Sequence, residues 1–433
     1  MSDSFVKWDT YLTVASLSDV GLRRTTNQDN LCISLASNLE TWQRRGHLFV
    51  VADGMGGNAA GDLASKIAVD TIPHLYNKLL DGSPVEAIRR SLSDTNAEIY
   101  RRGQANEEFQ SMGTTCSALL LLPIGAVAAH VGDSRVYRLR GMTLDQLTFD
   151  HSLVWEMRAA GQMSGKGEFF KFGKNYITRS LGPYPEVQVD LEGPFPIQPG
   201  DTFLLCSDGL TGQVTDEEIG GVLASLTPAE AARTLVDLAN LRGGPDNITA
   251  IIVRVLHADL ATGQLRVTGT SQRASRSVKP GSWVLFATAL AMAGLMHLLK
   301  LPLVAVLLPL IVALASLIWI FAQVVRGLNQ AQGMLEGTRL GRGPHARADC
   351  STSGWGLVGK LRDMDREILN VIQERGWSFD QEQWQRLSSE ADDAFEQRDL
   401  ATSIRMASRA TTFLMDQIRG RDQGGTTAID LGT

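Results

Sequence analysis

Four times between residues 48 and 247, a run of apolar residues meets an aspartate flanked by glycine or by a small polar residue. Residues 48–52 lead into Asp53-Gly54-Met55-Gly56-Gly57, and 203–206 lead into Ser207-Asp208-Gly209. Residues 127–131 lead into Gly132-Asp133-Ser134, and Gly243-Gly244-Pro245-Asp246-Asn247 opens the apolar run 248–255. Any one of these is an ordinary β-turn, because Asp-Gly is a common turn pair. Four strand-end aspartates in one domain are a stronger constraint. Carboxylates share a site only when cations neutralise their repulsion. Neighbouring glycines let a backbone carbonyl approach the same hard cation as the side-chain oxygen. No cluster of histidine and cysteine accompanies the aspartates, which disfavours zinc and favours Mg²⁺ or Mn²⁺.

The rest of this region supplies the frame. Apolar and β-branched runs bounded by Gly, Pro, Asn or Asp predict strands at 12–18, 31–34, 47–52, 116–122, 126–130, 136–139, 202–206 and 248–255. Three- and four-residue apolar spacing predicts helices at 60–80, 84–102 and 228–241. Two helices fall together between the third and fourth strands. That grouping favours an α+β sandwich over an alternating parallel sheet.

Composition narrows the partners. A net charge of −6 gives no basic surface for nucleic acid. The four cysteines, Cys32, Cys116, Cys206 and Cys350, form no CxxC pair, so reduced thiols are expected. Residues 1–20 lack the uninterrupted apolar core of a signal peptide.

Beyond the polar stretch 257–281, residues 283–322 are almost wholly apolar, broken by His297, Lys300, Pro302 and Pro309. A membrane span takes roughly 17–25 apolar residues, which leaves room for two short helices. Arg273, Arg276 and Lys279 precede this stretch, and Arg326, Arg339 and Arg342 follow it, while the turn carries only Lys300. The positive-inside rule then sets both flanks in the cytoplasm of a multi-pass protein of the cell (inner) membrane. In the C-terminal region, Ala391, Ala394, Phe395, Leu400, Ile404, Ala407 and Ala410 mark one amphipathic stripe, read as a small helical hairpin. The expected plan is a catalytic domain at 1–257, a linker at 258–281 and two transmembrane helices within 282–324. A second linker at 325–354, a helical region at 355–420 and a tail at 421–433 complete it.

Six motifs occur in order: Gly21-Leu-Arg-Arg24-Thr-Thr-Asn27-Gln-Asp29, Asp53-Gly-Met-Gly-Gly57, Met112-Gly-Thr-Thr115, Gly132-Asp-Ser134, Ser207-Asp-Gly209 and Gly244-Pro-Asp-Asn247. Together they resemble the protein phosphatase 2C family, in particular its compact bacterial members, over roughly residues 12–255. The resemblance implies a four-layer α-β-β-α sandwich of two antiparallel sheets with the metal site at one end. It implies that Asp53 bridges two Mn²⁺ or Mg²⁺ ions, that Gly54 offers its carbonyl, and that Asp208 and Asp246 complete the pair. Asp133 with Asp208 matches a third ion site, Asp29 acts through metal-bound water, and Arg24 clamps the phosphate.

The implied activity is hydrolysis of phosphoserine and phosphothreonine in cytoplasmic proteins by a metal-activated water, opposing a Ser/Thr kinase system. The alternative is a membrane-tethered pseudo-phosphatase serving as a scaffold. Three positions depart from the family pattern. Gln28 stands for a usual Glu, Asn58 for a His proposed elsewhere as general acid, and Asp62 for a usual Glu. The segment 150–182, beginning near His151, matches the mobile flap of the family, and His151 is expected to be a local structural contact.

Overall fold

The computed structural model describes residues 8–79, 82–161, 176–262, 340–351 and 354–422. The strand β3 (His47–Met55) shows why the chain forms a sandwich. Its alternate residues Phe49 and Val51 face a core between two sheets, whereas Leu48, Val50 and Ala52 face a helical layer. A strand buried on both faces reads as a continuous apolar run.

One sheet takes β2 (Asp29–Ser34), β3, β5 (Cys116–Leu122), β6 (Gly125–Val131) and β9 (Asp190–Phe195) in that order, with the short β4 (Gly113–Thr114) pairing β3. The other has the order β1 (Leu12–Asp19), β11 (Ile248–Val255), β10 (Thr202–Cys206), β7 (Arg135–Arg140), β8 (Thr143–Gln146) and β12 (Ala346–Asp349). Every pairing between these strands is antiparallel. Phe49, Leu119, Val136, Phe203, Leu205, Ile251 and Val253 fill the space between the sheets.

Helices α2 (Asn58–Lys78) and α3 (Pro84–Ala105) cover the first sheet through Ile67, Ile72, Ile88 and Leu92. Ser83 caps α3 and Pro84 opens it, which suits a residue with no N–H to satisfy. Helices α6 (Asp216–Ser225) and α7 (Pro228–Leu241) cover the second sheet, and each begins with a threonine–glutamate capping box. Three shorter helices, α1 (Leu39–Arg45), α4 (Leu153–Ala159) and α5 (Asp208–Thr211), complete this part. The two antiparallel sheets with flanking helices are those expected of the α+β class.

The C-terminal region departs from expectation. Residues 325–354 were expected as a linker, yet β12 lies within them and adds to the sheet edge beside β8. Its alternating half-exposed pattern and the sequence ARAD carry no apolar signal. A hairpin was expected next, but three helices follow: α8 (Gly354–Glu374), α9 (Gln381–Glu396) and α10 (Leu400–Asp422). Leu357, Val358, Leu361, Ala391, Ile404 and Ala407 enter the same core as Val222 of α6 and Leu235 of α7. Ion pairs rim that core: Lys360–Glu218 at 2.6 Å and Arg409–Glu230 at 2.5 Å, with Arg233–Asp416 beside them.

Among the described residues no helix is long and apolar enough to cross a membrane, and the expected spans in 282–324 lie outside them. A second compact unit, 265–338, also lies wholly outside the described residues. The two flanks of that stretch are described. Thr262 donates its N–H to Ile197 O at 3.0 Å, and Gly193 donates its N–H to Leu340 O at 3.2 Å.

Two outcomes test this docking. Leu361 is fully buried, so Leu361→Ala should lower stability by about 2–5 kcal/mol while keeping one cooperative unfolding transition, measured in urea. Burial disfavours the Glu218 carboxylate, but Arg242 and Lys360 outweigh it and hold its pKa at about 2, against an ordinary 4.5. A depressed folded pKa gives stability that is full above 4.5 and fades as pH falls towards 2. The stability difference between wild type and Glu218→Gln should therefore shrink over that interval; an unchanged difference would contradict the pairing.

Candidate active site

The sheet register gathers the aspartates at one end of the sandwich. Asp53 near the end of β3 stands directly opposite Asp29 at the start of β2. Asp208 opens α5 directly after β10, Asp246 precedes β11, and Asp133 lies in the turn from β6 to β7. The loop from β1 to β2 brings Arg24 to the same end, where its Nη2 donates to Asp246 Oδ2 at 2.8 Å. The structure thus places Arg24, Asp29, Asp53, Asp133, Asp208 and Asp246 at the same end of the sandwich.

Backbone contacts fix these side chains. Thr115 donates its N–H to Asp53 O at 2.8 Å, and its Oγ1 accepts from Asp53 N at 3.0 Å. Thr114 Oγ1 donates to the same Asp53 carbonyl at 2.9 Å, so the Met112–Thr115 motif acts as a brace for the Asp53 turn. A Cβ at Gly54 would sit 2.1 Å from the Gly61 carbonyl oxygen, so only glycine fits there. Gln28 donates through Nε2 to Gly57 O at 2.7 Å and ties down the turn that follows Gly54. Asn247 stitches the remaining loops, accepting from Gln28 N at 2.9 Å and donating to Val20 O and Thr26 O at 2.9 and 3.0 Å.

The electrostatics are those of crowded like charges. Burial first, and then Asp29, Asp208, Asp133 and Asp246, push Asp53 well above the usual carboxylate range. Asp208 is raised by burial and by Asp246, and a hydrogen bond from Asp53 partly offsets this. Burial and Asp208 likewise push Asp133 well up. Asp29 rises to about 7, through burial, although Ser207 Oγ donates to its Oδ2 at 2.7 Å.

Two carboxylate oxygens in this cluster, Asp29 Oδ1 and Asp133 Oδ1, are buried without a hydrogen-bond partner. An oxygen-only donor set with orphaned buried carboxylate oxygens suits a hard divalent cation. Among the described residues, no three carboxylates, imidazoles or thiolates converge into a cage for one ion.

Sequence reasoning missed one charged group. Arg135, the first residue of β7, donates to both oxygens of Asp150 (Nε–Oδ1 3.0 Å, Nη2–Oδ2 2.7 Å) and to the Tyr137 hydroxyl at 2.8 Å. Its positive charge lowers the pKa of both Asp133 and Asp208, making it a fixed counter-charge behind the cluster. The available signal was an arginine two residues past Asp133, at the start of a strand that alternates arginine with apolar residues. His151 is buried and structural. Its Nδ1 accepts from Gly132 N at 3.0 Å and its backbone N–H donates to Gly132 O at 2.7 Å, which holds the turn carrying Asp133. Residues 162–175 of the flap and the Asn58 side chain lie outside the described residues.

Ser207 tests the assignment of Asp29. Removing a donor to the charged form raises its pKa, so Ser207→Ala should move the pH midpoint of Mn²⁺ binding upward by about 1 unit. Calorimetric titration across pH measures it; an unmoved midpoint would separate Asp29 from the metal site.

Similarity to known proteins matches this geometry. The family described as Protein phosphatase 2C matches residues 23–240. Protein phosphatase PhpP of Streptococcus pneumoniae is 37% identical over 259 residues, spanning 57% of this chain and 99% of that protein. Serine/threonine phosphatase stp of Listeria monocytogenes is 39% identical over 211 residues, 48% of this chain and 83% of that protein. Among solved structures, the serine/threonine phosphatase of S. agalactiae superposes with a TM-score of 0.51 at 34% identity, covering 57% of this chain and all of that one. The Mycobacterium tuberculosis phosphatase PstP/Ppp gives the same TM-score and coverage at 32% identity. The chain belongs to the protein phosphatase 2C family and is a serine/threonine phosphatase of that type.

Proposed function

We propose that this chain hydrolyses phosphoserine and phosphothreonine in cytoplasmic proteins with two or three Mn²⁺ or Mg²⁺ ions, opposing a Ser/Thr kinase. The observation that carries the reading is the convergence of Asp29, Asp53, Asp133, Asp208 and Asp246 with Arg24 at one end of the sandwich. Asp53, Asp208, Asp246 and the Gly54 carbonyl would hold the two principal ions, with Asp133 beside Asp208 for a third and Asp29 acting through water. Bound divalent ions supply Lewis-acid charge that makes water a nucleophile near neutral pH.

The protein's own groups do the remaining work. Arg24 is about half exposed and uses one nitrogen on Asp246, which leaves the rest of its planar fork for two phosphate oxygens. Its charge is held more firmly by that same hydrogen bond. Arg135 and Ser207 keep Asp208, Asp133 and Asp29 more acidic than burial alone would allow. Glycine at 54 lets the Asp53 turn pack directly against the Gly61 and Gln28 carbonyls, where a Cβ would clash.

The full chain should hydrolyse p-nitrophenyl phosphate and a phosphothreonine peptide only with Mn²⁺ or Mg²⁺ present. Asp53→Asn should reduce kcat about 100-fold or more. Arg24→Ala should raise KM about 10- to 100-fold, with metal affinity retained. Turnover that survives both chelation and Asp53→Asn would contradict the reading; phosphopeptide binding without turnover would favour the scaffold alternative.

The stretch 282–324 is proposed as the membrane tether, with the catalytic unit cytoplasmic. Support comes from its apolar length, its arginine-rich flanks, and the attachment of both flanks to residues 193–197 of one folded unit. Flanks held that way would lie on one side of a bilayer, in keeping with a tether that crosses an even number of times. Carbonate-washed membranes should retain the full chain; release into the supernatant would contradict the tether.

A further inference from the structure

Helix α10 lies beyond the family-matched residues 23–240, yet its Arg419 reaches the loops that carry the phosphate clamp. Arg419 Nη1 is 2.8 Å from Asp237 Oδ1 in α7, and Nη2 is 3.6 Å from Asp19 Oδ2 at the end of β1. Asp19 Oδ1 in turn accepts from Gly21 N at 2.9 Å and from Asn240 Nδ2 at 3.1 Å. Gly21 has φ +79°, and a Cβ there would lie 2.2 Å from the Asp246 carbonyl oxygen. Leu22 N and Arg23 N both donate to Gly244 O, at 2.9 and 3.2 Å, which ties residues 19–23 to 244–246. Those two loops hold Arg24 and Asp246, which are bonded to each other.

We infer that Arg419 is a positioning residue for the Arg24–Asp246 pair, so that the C-terminal helices set the affinity of the active site for phosphate and metal. The inference rests on the phosphatase reading above. Its physical basis is a guanidinium ion-paired with Asp237 in α7, whose second nitrogen lies within charge range of Asp19 at 3.6 Å but beyond hydrogen-bond distance. The Asp237 side chain is only 1% exposed, and its other cation is Arg233 at 3.2 Å. Without Arg419, Asp19 keeps its hydrogen bonds from Gly21 and Asn240 but loses the positive charge beside its other carboxylate oxygen, and the clamp loop is held less firmly on its outer side. Asp237 keeps a partner, so the fold keeps most of its stability while the loop relaxes. A lysine at 419 supplies a point charge that reaches one carboxylate and lacks the fork that spans both.

The test is steady-state hydrolysis of p-nitrophenyl phosphate by the full chain across Mn²⁺ concentrations, with thermal unfolding of each variant alongside. Arg419→Ala should raise both KM and the half-activating Mn²⁺ concentration by about 3- to 10-fold, leaving kcat at saturation of both nearly unchanged. Arg419→Lys should recover part of that loss. Asp19→Asn should reproduce it, and the double variant Asp19→Asn/Arg419→Ala should be no worse than Arg419→Ala alone. If Arg419→Ala does not fold, Arg419→Lys and Asp19→Asn carry the same expectation in smaller measure. A folded Arg419→Ala with wild-type KM overturns the inference, as does a loss confined to kcat in step with the unfolded fraction. A wild type without Mn²⁺-dependent turnover overturns the phosphatase reading and this inference with it.

Discussion

Five aspartates meet at one end of two packed sheets, and their mutual repulsion governs the chemistry there. Asp53 and Asp29 stand directly opposite each other on neighbouring strands, an arrangement that like charges disfavour. The surroundings lessen the conflict without removing it. Ser207 donates to Asp29, Arg24 pairs with Asp246, and Arg135 lies behind Asp133 and Asp208. Even so, Asp53, Asp133 and Asp208 remain raised, and two carboxylate oxygens are orphaned. Cations placed among these carboxylates would relieve several repulsions at once. The braces around it, from Thr114, Thr115, Gln28 and Asn247, hold the carboxylates in place against that repulsion.

The C-terminal region changes what counts as the catalytic unit. After a stretch of 77 residues, 263–339, the chain returns to the sheet that it left. There β12 extends the sheet edge, and α8 to α10 seal α6 and α7 with an apolar core ringed by ion pairs. A Cβ at Gly220 in α6 would lie 2.0 Å from Cys350 Sγ, a measure of how closely the returning strand's end seats against that helix. Such contact gives the C-terminal region a physical route to the active site through α7, one that a separate appended domain would lack.

Much of this was legible in the sequence. Residues 48–52 and 203–206 are buried on both faces, so they read as strands, and the aspartates that follow mark the shared end. The three helices expected at 60–80, 84–102 and 228–241 have strong apolar periodicity or cap signals, and all three formed. What escaped notice had a weak or conflicting local signal. β12 is polar and short, and its reason for being a strand is the free edge of β8. α6 contains two adjacent glycines, which lower helix propensity, and tertiary packing of Ile219, Val222 and Leu223 overrides that cost. The stripe through Ile404 and Ala407 was visible, but not that its partner is the catalytic layer, since periodicity identifies a buried face without naming what covers it. Arg135 sits plainly two residues past Asp133, but its role depends on a cluster assembled from distant strands, which its place in the sequence does not show.

Thermal unfolding of the metal-stripped full chain, titrated with Mn²⁺ below and above the Asp29 midpoint of about 7, tests the central claim most directly. If the aspartates form the metal centre, Mn²⁺ raises the melting temperature at both pH values. The rise is larger above the midpoint, where less proton must be displaced from the carboxylates. A melting temperature that ignores Mn²⁺ at both pH values would contradict the account.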